Sequence, residues 1–173
     1  MPNRESMPYR DCVGVAVFNA EGLVFIGRRR PEEDSESAAR AYTPWQMPQG
    51  GIDKGEVPYD AALRELYEET SIRSVELIAE APEWVYYDLP DEALGIALKG
   101  KYRGQRQRLF AFRFSGDEAE INVTAPGGGQ HPAEFDLWRW EALERLPDLI
   151  VPFKRNAYLE IVRHFRHIPS SLK

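Results

Sequence analysis

The chain has 173 residues, a length typical of one domain with a single compact core, and we expect residues 1–173 to form that domain. Apolar residues make up 43% and charged residues 29% of the sequence, which excludes wholly disordered, collagen-like and coiled-coil proteins. The 22 basic and 28 acidic side chains give a net charge of −6, which disfavours broad affinity for duplex DNA.

No apolar run approaches the ~20 residues of a membrane span, and residues 1–12 carry charges where a secretion signal has an apolar stretch. We therefore expect a cytoplasmic protein that does not bind a membrane. Cys12 is the single cysteine, so it cannot form a disulfide within the chain. Because it precedes the apolar sequence VGVAVF, we predict a small buried side chain rather than a nucleophile.

The first predicted element is a β-hairpin. Residues 13–18 are β-branched and aromatic, residues 19–22 (NAEG) form a turn, and residues 23–27 return. The polar segment 31–44, which is bounded by prolines, predicts a surface loop with a short helical turn. A short extended piece at 45–48 precedes a glycine-rich loop at 49–56.

A helix is predicted to begin at Pro58, a residue suited to a first helical turn, and to continue to about Ser71. Aromatic and β-branched residues then predict four strands, at 75–79, 83–87, 107–114 and 134–140. Three glycines at 127–129 indicate a flexible loop, a short helix follows at 141–146, and a longer helix starts at Pro152. The expected fold is therefore an α/β domain with a mixed strand order.

Charge is segregated along the chain. Residues 99–113 carry six cations and no acid, residues 150–173 carry five cations against one acid, and residues 53–69 carry six acids against two cations. An acidic cluster flanked by basic segments suits a metal centre that serves a polyanionic ligand, although on charge alone solvated faces are the simpler interpretation.

Three glutamates, Glu65, Glu68 and Glu69, have the i, i+3, i+4 spacing that places side chains on one helix face. Like charges at this spacing repel by roughly a few tenths of a kcal/mol per pair, so an exposed helix partly compensated by Arg64 is one interpretation. The other is a metal site, because clustered carboxylate oxygens favour Mg²⁺ or Mn²⁺.

The pattern around these glutamates resembles the Nudix box, and it comprises Gly50, Glu56, Arg64-Glu65-Leu66, Glu68-Glu69 and Ser71-Ile72. Ser71 departs from the family pattern, which has glycine there. Glycine at a helix end usually forms a left-handed cap, so the departure concerns the cap geometry more than the metal site. The resemblance implies an α/β/α sandwich with a mixed sheet, which uses divalent metal to hydrolyse a nucleoside diphosphate linked to another group.

A narrower resemblance, to the bacterial RNA 5′-pyrophosphohydrolases and dinucleoside polyphosphate hydrolases, rests on the segments 45–53, 102–105, 133–135, 138–140 and 151–155. It implies removal of pyrophosphate from the 5′-triphosphate end of RNA, with dinucleoside polyphosphates as further substrates. The alternative is an enzyme acting mainly on diadenosine tetra- or pentaphosphate. A non-catalytic nucleotide-binding module is disfavoured because every carboxylate of the box is present.

The resemblance also implies the metal site. Two or three Mg²⁺ or Mn²⁺ ions would be bound by a backbone carbonyl of the Gly50 loop and by four carboxylates, those of Glu65, Glu68, Glu69 and Glu134. Either Glu68 or Glu134 would act as general base. Arg64 is expected to orient Glu65 and Glu69, and Glu56 either to hold Arg64 or to bind through water.

On the substrate side, the resemblance implies phosphate contacts from Arg10, Arg29 and Lys154, with Tyr87 and Gln105 lining the same groove. Phe153 would stack on a base or pack in the helix core, and Lys154 could equally be a solvated helix end. We expect the remaining candidates to lie outside the chemistry, with His131, His164 and His167 on the surface and Trp45, Trp138 and Trp140 in the core or groove walls.

Overall fold

The computed structural model describes residues 3–30 and 44–173. The surface loop predicted at 31–44 therefore lies outside the described residues, apart from its last position. Within the described ranges, no helix combines the length and apolar character that would let it cross a membrane.

A mixed β-sheet forms the centre of the fold. In the described chain its strands are β1 (Tyr9–Phe18), β2 (Val24–Arg29), β3 (Trp45–Gln46), β4 (Gln49–Gly51), β5 (Val75–Glu80), β6 (Val85–Asp88), β7 (Gly104–Phe114) and β8 (Phe135–Glu141). The strand β1 pairs in parallel with β7 over ten residues, while the other pairings are antiparallel. The strands follow the order β3-β2-β1-β7-β5, with β4 on β1, β6 on β7 and β8 on β2.

Helices cover both faces of the sheet. They are α1 (Pro58–Thr70), α2 (Leu146–Leu149), α3 (Arg155–Phe165) and α4 (Ile168–Ser171). Successive side chains of β1 point to opposite faces. Val13, Val15 and Val17 belong to the apolar cluster that contains Leu66 of α1, whereas Ala16 and Phe18 belong to the cluster of the other three helices. This gives the α/β/α layering that the sequence resemblance implied.

The predicted hairpin is present but short. Strands β1 and β2 run antiparallel around the turn, yet only Phe18 and Val24 are in register. The strands diverge because β1 is taken up by β4 and β7, while β2 pairs with β3 and β8. The hairpin is thus a corner between two parts of the sheet rather than an independent ribbon.

Two predicted loops are more ordered than expected. The first residues of the predicted loop 49–56 form β4, because their backbone pairs with β1. The glycines at 127–129 lie in a 3-10 helix, Pro126–Gly129, in which all three have positive φ angles of 65° to 89°. Glycine reaches this left-handed region without steric cost, and the segment predicted as a loop forms a tight turn.

The C-terminal helices also differ in detail from the prediction. A 3-10 turn, Leu143–Arg145, precedes α2, and a 3-10 turn, Pro152–Lys154, precedes α3. The chain therefore turns twice where the sequence predicted one short and one continuous helix. The second turn places Phe153 and Lys154 beside the end of β6.

Candidate active site

An open pocket of about 660 Å³ brings together nearly all the predicted site residues. Its walls come from β1, β4, α1, β6, β7 and the turn before α3. Of the twelve predicted residues, all but Arg64 line it: Arg10, Arg29, Gly50, Glu65, Glu68, Glu69, Tyr87, Gln105, Glu134, Phe153 and Lys154. Residues from opposite ends of the chain thus meet around one cavity.

One end of the pocket is acidic. Glu65, Glu68 and Glu69 project from one face of α1, and Glu134, just before β8, faces them across a recess of about 70 Å³. Burial, together with the charges of Glu65 and Glu134, raises the pKa of Glu69 well above its ordinary value. Burial also raises the pKa of Glu65. Both shifts favour the uncharged form of these two carboxyl groups.

Arg64 braces this acidic end from outside the pocket. Its guanidinium donates to both carboxylate oxygens of Glu56 at 2.8 Å, to Glu65 at 2.9 Å and to Glu68 at 3.2 Å. It also donates to the carbonyl of Gly51 at 2.9 Å. The hydrogen bond from Arg64 is the main reason that the pKa of Glu56 falls to about 2.

These contacts settle two expectations. Glu56 holds Arg64, which was one of the two roles considered for it. Arg64 contacts Glu65 and Glu68, whereas the expected partner Glu69 instead accepts a hydrogen bond from the backbone N–H of Gln49 at 3.3 Å. The expected Arg64–Glu69 pairing was wrong because Glu69 points from α1 towards β4.

Gly50 is required by close packing. A Cβ atom built at this position would lie 2.0 Å from the carboxyl carbon of Glu65, so any side chain would displace that carboxylate. The backbone of β4 consequently lies directly against the acidic cluster.

The other end of the pocket is basic and aromatic. Arg10 donates to the Gln105 side chain at 2.9 Å, and Gln105 in turn donates to the hydroxyl of Tyr87. Tyr87 and Gln105 are both almost fully buried, and they form the floor of this end. The Phe153 ring lies 5.9 Å from the Tyr87 ring and is 36% exposed, so its face is available to a ligand.

Lys154 is buried, with only 3% of its surface exposed, so the interpretation as a solvated helix end was wrong. Its ammonium lies 5.1 Å from the centre of the Tyr87 ring and 3.5 Å from the Gln46 side-chain oxygen. Burial, and then the nearby charge of Arg29, lowers the pKa of Lys154 to about 7. This side chain can thus lose or gain its charge near neutral pH.

Ser71 ends α1 in the left-handed conformation that the family pattern assigns to glycine. Its φ and ψ angles are 68° and 4°, and its N–H donates to the carbonyl of Tyr67 at 2.9 Å. The hydroxyl donates to the carbonyl of Asn122 at 3.1 Å and accepts from the N–H of Gly127 at 2.9 Å. The cap geometry is retained, and the hydroxyl joins the helix end to the segment that leads to Glu134.

Other predicted residues lie away from the chemistry. Cys12 is fully buried, its thiol donates to the carbonyl of Arg106 at 3.4 Å, and burial raises its pKa to about 12, which confirms a structural role. Trp138 and Trp140 pack around Phe25.

His131 was expected on the surface, but it lines the acidic recess and its ring lies 6.0 Å from that of Tyr67. The left-handed glycines turn the chain back towards α1 and place His131 there. In the sequence, the three glycines at 127–129 were the feature that could have indicated this turn. Gln46, Gln49 and Gly51, from the segment 45–53 that carries the narrower resemblance, also line the pocket, although no role was predicted for them. Further lining residues that the sequence did not indicate are Leu89, Ala93, Ala97 and Leu98.

Among residues 3–30 and 44–173, no three Asp, Glu, His or Cys side chains are already arranged to hold a metal ion. The donor chemistry nevertheless fits a hard divalent cation, because four carboxylate side chains line one recess. Burial and the charges of Glu65 and Glu134 raise the pKa of Glu69, and the nearby charge of Arg29 partly offsets this.

Comparisons with known proteins agree with this geometry. The NUDIX domain family matches residues 8–161. The chain is 60% identical to the RNA pyrophosphohydrolase of Mesorhizobium japonicum over 96% of this chain and 95% of that protein. It is 59% identical to the RNA pyrophosphohydrolase of Rhizobium meliloti over 95% and 97% of the two chains. The solved structure of the E. coli dihydroneopterin triphosphate pyrophosphohydrolase shares the fold, with a TM-score of 0.62, 18% identity and 90% and 98% of the two chains covered.

Proposed function

Because the chain belongs to the NUDIX domain family, we propose that it is a pyrophosphohydrolase that removes pyrophosphate from the 5′-triphosphate end of RNA. Two relatives with 59–60% identity over nearly the whole chain carry the name RNA pyrophosphohydrolase. We further propose that the protein acts in the cytoplasm and that residues 1–173 form one catalytic domain.

The observation that carries this proposal is the polarity of the pocket. Carboxylates lie at one end, and cationic and aromatic side chains lie at the other. A 5′-triphosphorylated nucleotide has the matching polarity, since its phosphates need cations and its base needs an apolar face. The polyphosphate would therefore extend from Lys154 towards the acidic recess, with the first bases at Phe153.

A divalent cation bound at the acidic recess would neutralise phosphate charge and lower the pKa of the attacking water. Glu65, Glu68, Glu69 and Glu134 would hold two or three Mg²⁺ or Mn²⁺ ions together with a carbonyl of the Gly50 loop. Arg64 keeps Glu65 and Glu68 oriented, and Glu56 keeps Arg64 in place. Glu68 or Glu134 receives the proton from the attacking water.

At the opposite end, Arg10, Arg29 and Lys154 bind phosphate oxygens. The pKa of about 7 means that the Lys154 ammonium is only partly protonated near neutral pH in the free protein. A phosphate beside it favours the charged form, so substrate binding takes up a proton there. Tyr87 and Gln105 hold Arg10 and form the wall on which the substrate rests.

A side-by-side assay tests the substrate class. With Mg²⁺ present, triphosphorylated RNA, diadenosine tetraphosphate and diadenosine pentaphosphate are incubated with the protein, and the products are identified by mass. We expect pyrophosphate release from RNA at the highest kcat/KM. A higher kcat/KM on the dinucleotides would instead establish the alternative, an enzyme mainly for diadenosine polyphosphates.

The site itself is tested with Glu68→Gln, which removes a charge while keeping nearly the same volume. We expect metal-dependent turnover to collapse while the unfolding transition is kept. Glu144→Gln, an exposed glutamate in the turn before α2, is the matched control and should retain full activity. Turnover at the normal rate in both Glu68→Gln and Glu65→Gln would refute the metal-site assignment.

A further inference from the structure

A groove continues from the basic end of the active-site pocket along the edge of the sheet. It has a volume of about 310 Å³ and shares Tyr87 and Phe153 with the pocket. Beyond it, a second depression of about 390 Å³ shares Tyr9 and Tyr86 with the groove. The three cavities are thus neighbours that share lining residues, and the first of them lies where the polyphosphate is expected.

The groove and the outer depression present aromatic faces. Tyr86 is 46% exposed, and its ring packs edge-to-face on Tyr9 with 4.9 Å between the ring centres. The guanidinium of Arg103 lies 4.7 Å from the Tyr9 ring, and Arg106 adjoins Tyr86 in the outer depression. Tyr86 is therefore an exposed ring beside cations, with the half-buried Tyr9 packed against it, and aromatic rings beside cations are the surface on which single-stranded bases stack.

Charge also favours this direction for a polyanionic strand. On the opposite side the pocket is closed by four carboxylates, which would repel a phosphodiester chain. Asp88 lines the groove, and Arg103 offsets its charge as Arg106 offsets that of Asp11. These pairs weaken the repulsion of a phosphodiester chain, and the aromatic rings supply the attraction. Stacking on rings tolerates any base, which an enzyme acting on many different transcripts requires.

We propose that Tyr9 and Tyr86 form a subsite for RNA nucleotides downstream of those bound at Phe153. The proposal rests on the proposed function and extends it, because it assigns an exit path to the strand. It predicts a dependence on RNA length, since a dinucleotide ends before the subsite and an octanucleotide reaches it.

The test compares kcat/KM on triphosphorylated RNA of two and of eight nucleotides. For Tyr86→Ala, we expect about a tenfold loss on the octanucleotide, as for one stacked base, and unchanged activity on the dinucleotide. Tyr86→Phe should behave as wild type, because stacking needs the ring and not the hydroxyl. Tyr9→Ala gives a second, independent variant, and Leu137→Ala, an exposed residue on β8, is the control.

The outcomes separate the subsite from the function. Equal kcat/KM of the wild type on both lengths, or equal losses on both lengths in Tyr86→Ala and Tyr9→Ala, would overturn the subsite and leave the pyrophosphohydrolase activity standing. A wild type that releases pyrophosphate from neither RNA would refute the proposed function itself. Unchanged dinucleotide turnover also shows that each variant is folded.

Discussion

Replacing Ser71 tests whether its hydroxyl joins α1 to the segment before Glu134. Ser71→Ala keeps a side chain in the left-handed conformation but removes the bond to the Asn122 carbonyl and the bond from the Gly127 N–H. Ser71→Gly removes the same bonds and also relieves the steric cost of the left-handed conformation, which is about 1 kcal/mol for a residue with a Cβ atom. The two variants therefore separate the contribution of the hydroxyl to stability from the cost of the left-handed backbone conformation.

The expected magnitudes follow from these two contributions. Each hydrogen bond contributes about 0.5–1.5 kcal/mol, and the partial exposure of both bonds favours the lower half of that range. Ser71→Ala should thus lower the free energy of unfolding by about 1–2 kcal/mol. The free energy of unfolding of Ser71→Gly should be about 1 kcal/mol higher than that of Ser71→Ala, because glycine adopts the left-handed conformation without the steric cost. For a chain of this size, 1 kcal/mol corresponds to about 2–4 °C in Tm.

Urea unfolding of the three proteins measures these differences, provided that the m-values agree. Thr124→Ala is the control, because the Thr124 hydroxyl donates to the Asn122 side chain within the same segment and does not reach α1. This substitution should lower the free energy of unfolding by less than about 0.5 kcal/mol. Wild-type stability in Ser71→Ala, or a Ser71→Ala protein more stable than Ser71→Gly, would refute the reasoning.

Three further predictions follow. Hydrolysis in heavy-oxygen water should label a product phosphate and leave the protein unlabelled. Cys12→Ala should keep nearly full activity, and a Cys12→Ala protein that is folded but inactive would indicate covalent catalysis. The pKa of Glu56 falls from 4.5 to about 2 on folding, so its contribution to stability is present above pH 4.5 and is lost towards pH 2. The free energy of unfolding of Glu56→Gln should therefore depend less on pH in this range than that of the wild type. Parallel pH dependences of the two proteins would contradict this. The pKa of Lys154 falls from 10.5 in the unfolded chain to about 7 in the folded protein, so between these pH values the unfolded chain binds the extra proton. The free energy of unfolding should therefore rise with pH across this range. Lys154→Met should lack this rise, and an unchanged rise would place the titrating group elsewhere.

The sequence predicted the acidic end of the pocket better than the rest. The spacing of Glu65, Glu68 and Glu69 is local, and a helix converts such spacing directly into a shared face. The partner of Arg64 was predicted only in part, because the choice between Glu68 and Glu69 depends on where β4 approaches α1. That approach is a tertiary contact, which helical spacing does not contain.

The substrate end depended more strongly on tertiary structure. Lys154 reads as an exposed cation in the sequence, and only the packing of its turn against β6 buries it and lowers its pKa. His131 was missed for a similar reason, since a glycine run predicts flexibility unless the left-handed angles of the turn are known. Leu98 and its neighbours in the pocket wall follow no periodic pattern that would have predicted them.

The parallel pairing of β1 with β7 has a consequence for synthesis on the ribosome. Arg10 meets Gln105, 95 positions later in the chain. At roughly 5–20 residues per second, β1 waits about 5–20 seconds for this partner after it has been made. During that interval the edge of β1 that will pair with β7 lacks its partner, and unpaired strand edges make a nascent chain prone to aggregation. Phe153 and Lys154 are made later still, so the active-site pocket is incomplete during synthesis of the chain. The enzyme cannot act on RNA while its own chain is being translated.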